Sequence, residues 1–130
     1  MAHQSGYYSQ PTIHGDTLVF VCEDDLWTVS TDGGIARRLT TARGPVQFPR
    51  LSPDGKRIAY AAREDGPAEI YVMDASGGPS ERLTHLGAMM TSTVGWTPNG
   101  KKVVLRSNAS QAFLGLQRLY EVAPGGHPKE

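Results

Sequence analysis

One stretch, Leu51 to Thr84, reads as a complete four-strand unit, and its punctuation recurs on both sides of it. The unit opens with Leu51-Ser52, turns at Pro53-Asp54-Gly55 and continues as Ile58-Ala59-Tyr60-Ala61. A polar turn from Arg63 to Ala68 leads into Ile70-Tyr71-Val72-Met73-Asp74, then a small turn through Ser76-Gly77-Gly78, then Glu81-Arg82-Leu83-Thr84. Pro presets φ at the first central position of such a turn, Asp suits the second, and Gly takes the positive φ that follows. The flanking runs are short, β-branched or aromatic, and bounded by Gly and Pro. They predict an antiparallel meander of four short strands.

Upstream, Leu18-Val19-Phe20-Val21 matches Ile58 to Ala61, Leu26-Trp27-Thr28-Val29 matches Ile70 to Met73, and Arg37-Arg38-Leu39-Thr40 matches Glu81 to Thr84. Downstream, Pro98-Asn99-Gly100 repeats the turn, Val103-Val104-Leu105 the second strand and Leu119-Tyr120-Glu121-Val122 the third. The paired glycines at 33, 77 and 125 stand 44 and 48 residues apart. Four strands recurring at about 40 to 50 residues is the signature of β-propeller blades. A generic sandwich would supply short strands and turns, but it would not require three copies in the same internal order.

The expected fold is therefore all-β: a partial β-propeller of about three four-stranded antiparallel blades, the third incomplete. A flexible lead-in covers 1–10, the first blade 11–42, the second 43–86 and the third 87–130. Each blade of a propeller buries both faces against its neighbours. Three blades leave the outer faces of the first and last bare, and the third unit stops at His127-Pro128-Lys129-Glu130, where its outer strand should begin. Two expectations follow: the remaining blades and further domains stand in the same polypeptide, or a second copy completes the ring. The unfinished third unit favours the first.

Thirteen basic and thirteen acidic side chains balance in the 130 residues, which leaves no electrostatic footprint for nucleic acid or an anionic membrane. The doublets Arg37-Arg38, Lys56-Arg57 and Lys101-Lys102 read as solvated edge charge. Cys22 is the single cysteine, so no disulfide within the chain is possible and a reducing compartment is compatible. The first residues lack the charged and then apolar segments of a secretory signal, and no run of 18 apolar residues occurs, so a cytoplasmic location is expected.

Candidate chemistry is sparse. His14 has no companion ligand at metal spacing and reads as a hydrogen-bonded strand histidine. Glu23-Asp24-Asp25 could hold a hard cation, but a short acidic hairpin more often caps itself through Asx hydrogen bonds. Trp27, Tyr71 and Tyr120 occupy one repeat position and are expected to pack between blades. Met89 and Met90 are expected beneath the third blade. The longest connection, Asn108 to Gln117, carries Ala112-Phe113-Leu114-Gly115-Leu116, either a mounted functional loop or a packing surface. No Gly-x-Ser-x-Gly elbow, Ser-x-x-Lys or His-Glu-x-x-His is present, and no Gly-rich phosphate loop opens a helix. No catalytic residue, metal ligand or cofactor is assigned, and the substrate-binding residues are unknown.

Ile13-His14-Gly15-Asp16, Val19-Phe20-Val21 and Asp24-Asp25-Leu26-Trp27 resemble the opening of the N-terminal propeller of tricorn proteases. Ala109, Gln111, Phe113 and Leu119-Tyr120 extend the likeness to about residues 11 to 126, whereas Ser52-Pro53-Asp54-Gly55 and Gly77-Gly78 are common to TolB-like propellers in general. The resemblance implies a segment of a six-bladed propeller in a large, hexameric cytoplasmic serine peptidase that trims oligopeptides downstream of a proteasome-like machine. It implies gating, channelling and structural support for hydrolysis performed by distant catalytic domains. The family can carry an Arg-Arg peptide anchor before the third blade, and those positions here are Gly87-Ala88, so no binding residue is carried over. The other expectation is a stand-alone TolB-like scaffold for protein partners, closed by self-association.

Overall fold

A computed structural model describes residues 7–41, 44–113 and 115–130. The described residues form eleven strands and no helix. β1 (Tyr8–His14), β2 (Thr17–Cys22), β3 (Asp25–Ser30) and β4 (Arg37–Arg38) make the first sheet. The second comprises β5 (Val46–Leu51), β6 (Arg57–Ala62), β7 (Glu69–Asp74) and β8 (Ser80–Arg82). The third holds β9 (Thr91–Trp96), β10 (Val103–Ser107) and β11 (Arg118–Val122). Each is an antiparallel meander in sequence order, and the first strands β1, β5 and β9 neighbour one another. This is the partial propeller that the repeat predicts.

The pleat assigns the faces, because cross-strand partners share a side of the sheet. On the trailing face of the first sheet, Val19 and Val21 stand opposite Thr28 and Leu26. On the leading face of the second, Ile58, Tyr60 and Ala62 stand opposite Met73, Tyr71 and Glu69. Val19, Val21 and Leu26 pack with Ile58, Tyr60, Tyr71 and Met73 in one core cluster. The trailing face of the second sheet, Ala59, Ala61, Ile70 and Val72, packs in the same way with Val103, Leu105 and Val122 of the third. The aliphatic residues of each trailing face thus lie against apolar residues of the following sheet, and Ile58, Ala59 and Ile70 are fully buried.

The first strands begin earlier than the sequence suggests. β1 starts at Tyr8, within the stretch 1–10 expected as a lead-in, and β5 at Val46, ahead of the Leu51 at which the second unit is read to open. Each is interrupted by a bulge, between Ser9 and Thr12 and between Gln47 and Arg50, where Gln10 (φ 52°) and Phe48 (φ 54°) precede a proline. Proline cannot donate to a ladder and is admitted at bulges, so the X-Pro pair that reads as loop is an inner strand. The two bulges are tied together, since the Phe48 N–H donates to Gln10 Oε1 and the Leu51 N–H to Thr12 Oγ1.

The turns between first and second strands stack from blade to blade. Gly55 has φ +72° and lies under His14, where a Cβ would come 2.3 Å from the ring nitrogen Nδ1. A side chain there strains the backbone and requires the His14 ring to move. Between the second and third sheets, the Arg57 guanidinium lies 4.7 Å from the centre of the Trp96 ring and donates to Gly100 O, while Trp96 Nε1 donates to Arg50 O. The Arg57 half of the Lys56-Arg57 doublet is an inter-sheet contact and not free edge charge.

Candidate functional site

The most highly organised polar group sits where the third strand of a sheet begins. Asp25 is 1% exposed and Glu69 2%, a costly placement for a carboxylate unless it is paired and hydrogen-bonded. In the first sheet the Leu26 N–H donates to Thr40 Oγ1 (3.0 Å), the Thr40 hydroxyl donates to Asp25 Oδ1 (2.6 Å), and Arg38 pairs with Asp25 while its Nε donates to Thr40 O (2.9 Å). The second sheet repeats this group by group. Ile70 N–H donates to Thr84 Oγ1 (3.0 Å), Thr84 donates to Glu69, Arg82 lies 3.7 Å from Glu69, and its Nε donates to Thr84 O (2.9 Å). Glu69, one methylene longer than Asp25, also accepts the Gly87 N–H at 2.8 Å and so ties down the connection to the third sheet. Each clasp fastens the outer strand to the third strand.

Two expectations are corrected here. The acidic hairpin does not cap itself: Glu23 and Asp24 occupy the turn with positive φ, and Asp25 turns inward to the clasp. Arg37-Arg38 is not solvated edge charge either, because Arg38 holds Asp25 and Arg37 donates to Ser76 O of the second sheet (2.9 Å). The clasp was readable as Asp25, Arg38, Thr40 against Glu69, Arg82, Thr84, a spacing of 13 and 15 residues in both copies.

The third sheet breaks the pattern. Register places Arg118 opposite Ser107, as Asp25 stands opposite Cys22 and Glu69 opposite Ala62. The Glu121–Lys129 bridge brings the chain back along β11, and Arg118 pairs with Glu130. The charges are reversed, and both side chains are about half exposed. Lys129 therefore starts a fourth-strand pairing at the place where the sequence suggests the unit stops.

Other candidates resolve as follows. His14 is exposed at the end of β1, and no group of three or more potential metal ligands gathers among the described residues. Tyr71 stacks on Tyr60 in the first seam and Tyr120 packs against the second core, as expected of that repeat position; Trp27 lies on the open face and donates to Cys22 O. Met89 and Met90 are 67% and 47% exposed, so they do not lie beneath the third blade. Instead Met90 brackets the long loop, its N–H donating to Asn108 Oδ1 and its carbonyl accepting the Asn108 N–H. Phe113 and Leu116 of that loop are exposed, and Leu114 lies outside the described residues.

The open leading face of the first sheet carries an apolar groove of about 370 Å³ lined by Tyr8, Pro11, Leu18, Phe20, Val29 and Ala36. Tyr8 meets Phe20 edge to face at 5.4 Å. Within the first seam, burial pushes the Tyr60 hydroxyl up to about 12 although its hydrogen bond to Ser80 opposes this, and burial raises Tyr71 as well. At the turn, hydrogen bonds from Ser52 and the Lys56 N–H hold the Asp54 carboxyl below its ordinary value.

These features define a class first: a β-propeller segment with inter-sheet seams and no assembled catalytic group among the described residues. The chain superposes on TolB from Acinetobacter baumannii with a TM-score of 0.80 over 96% of this chain and 32% of that one, at 24% identity, a likeness of fold. It superposes equally well on the crystal structure of the tricorn protease (TM-score 0.80, 27% identity, 92% of this chain and 13% of that one). The sequence profile of the tricorn protease N-terminal beta propeller domain matches residues 5–130. The chain belongs to that family. Tricorn protease homolog 1 of Streptomyces coelicolor is 42% identical over 83% of this chain and 10% of its own length. The putative tricorn-like protease N-terminal subunit of Sulfurisphaera tokodaii is 31% identical over 81% of this chain and 55% of its own. The chain spans about a tenth of the length of the first curated relatives it matches. No helix among the described residues is long and apolar enough to cross a membrane.

Proposed function

We propose that this segment serves a tricorn-like serine peptidase as a non-catalytic element that gates and channels oligopeptides and supports hydrolysis performed by other domains. The observation that carries the reading is the family match over residues 5–130. The first strands β1, β5 and β9 supply a physical means: they run side by side along what would be the axis of the ring, and the bulges at Gln10 and Phe48 break their regular ladders there. Partners on this reading are the remaining blades and catalytic domains, a cytoplasmic location follows, and oligopeptides are the substrate class.

The test compares a tricorn-like peptidase carrying this segment with the same enzyme lacking it, using fluorogenic peptides of graded length. Removal is expected to change the dependence of kcat/KM on peptide length while cleavage of the shortest peptides persists. An unchanged length profile in a folded enzyme contradicts the role. The self-closing scaffold for a protein partner draws support from the open apolar groove of the first sheet.

A further inference from the structure

Two seams join the three sheets, and their turn ends are built differently. Register makes Thr17, Thr28 and Arg37 of the first sheet equivalent to Arg57, Val72 and Glu81 of the second, and Leu51 equivalent to Trp96. In the second seam this end is filled from within. The Arg57 guanidinium crosses to the third sheet, lies 4.7 Å from the centre of the Trp96 ring and donates to Gly100 O at 2.7 Å. In the first seam a threonine stands for that arginine and a leucine for that tryptophan. The space stays open as a cleft of about 520 Å³, with Thr17, Thr28 and Arg37 on one wall and Lys56, Asp74 and Ser76 on the other. Both walls belong to four-stranded sheets that already face each other across the apolar part of the seam.

The charges of the cleft are not used inside the protein. No ion pair among the described residues includes Arg37 or Lys56. Arg37 donates to Ser76 O through Nη2 alone (2.9 Å), which leaves most of its five N–H donors free for another acceptor. Asp54, beside Lys56 in the turn, is already met by the Ser52 hydroxyl and the Lys56 N–H. Two cations against the single carboxylate of Asp74 give the lining a net charge of +1. A concave site with a few convergent polar groups is the form of a small-ligand site, and a guanidinium beside an ammonium favours an oxyanion. We propose that the turn end of the first seam binds a compact oxyanion, a phosphate or carboxylate group, between Arg37 and Lys56, with the Thr17 and Ser76 hydroxyls as further donors. The second seam offers no such site, because Arg57 and Trp96 occupy it and Glu81 replaces Arg37. The site is independent of the peptidase reading, since binding is read without cleavage.

The experiment titrates the nitrogen-15-labelled chain with inorganic phosphate at constant ionic strength, so that general screening does not contribute. The amide signals of Gly55, Lys56, Ala75 and Ser76 are expected to shift and saturate together. Arg37→Gln and Lys56→Gln are each expected to raise the dissociation constant at least fivefold, and Lys101→Gln, at the turn position equivalent to Lys56, to leave it unchanged. Should Arg37→Gln lose its β signal in circular dichroism, Lys56→Gln, which removes no ion pair, carries the test. A second arm replaces phosphate with a short peptide ending in a free carboxylate and with the same peptide amidated. Saturation by phosphate alone supports the site and assigns a phosphate group, and saturation by the free acid but not the amide supports it and assigns a chain terminus. Shifts that never saturate with either probe, shifts of equal size at Gly100 and Lys101, or a dissociation constant that survives both glutamine variants in folded protein would overturn the proposal.

Discussion

The second and third sheets share a repeat and a register, yet one is sealed and the other open. The second is covered on both faces, and its outer strand is fastened by a buried carboxylate whose oxygens are met by a threonine, an arginine and a backbone amide. The third offers a charged trailing face and an exposed pair of reversed sign. Among the described residues the same register positions are buried in one sheet and exposed or half-buried in the other. A buried ion that loses a partner is left uncompensated, whereas an exposed pair exchanges one solvation for another.

The largest expected contrast is in the seams. Ile58→Ala, at a fully buried position, is expected to cost about 2–5 kcal/mol in denaturant unfolding. Leu119→Ala, 60% exposed, should stay within about 0.5 kcal/mol; equal losses would erase the distinction between sealed and open sheets. Next comes the clasp. Thr84→Val keeps the shape but leaves the Ile70 N–H and one Glu69 oxygen unsatisfied, with an expected loss of about 1–3 kcal/mol.

Alkaline unfolding sharpens the contrast further. Tyr60 titrates at about 12 in the folded chain and near 10 when unfolded, so the unfolded state sheds its proton first. Stability should be intact below pH 10 and fall as pH rises from 10 to 12, by on the order of 2 kcal/mol. Tyr71 adds in the same direction, and Tyr60→Phe should flatten most of the slope in a pH series of urea midpoints. Smallest of all is Arg118→Ala, where loss of the exposed pair with Glu130 should cost under about 1 kcal/mol, in contrast to Thr84→Val.

Sequence periodicity revealed the second and third strands of every sheet, because those runs are apolar, β-branched and bounded by glycine or proline. The first strands were harder. Gln10-Pro11 and Phe48-Pro49 carry the composition of loops, and only pairing with the neighbouring strand and blade reveals a bulged strand. Asp25, Glu69 and their partners were visible as a repeated spacing, but no local signal distinguishes a buried aspartate from one in a turn. Met89 and Met90 misled for the reverse reason: apolar character predicts burial only when another surface covers the residue, and here the chain leaves them exposed. The family was legible from the opening motif.

The most direct measurement is amide hydrogen exchange at two equivalent positions, Leu26 and Ile70, whose N–H groups donate to Thr40 and Thr84. Their rates are compared in the wild-type chain and in Thr84→Val. Leu26 and Ile70 are expected to be strongly protected in the wild type, and Thr84→Val to accelerate exchange at Ile70 far more than at Leu26. An Ile70 amide that exchanges no faster in Thr84→Val would contradict a clasp that fastens the outer strand to the third.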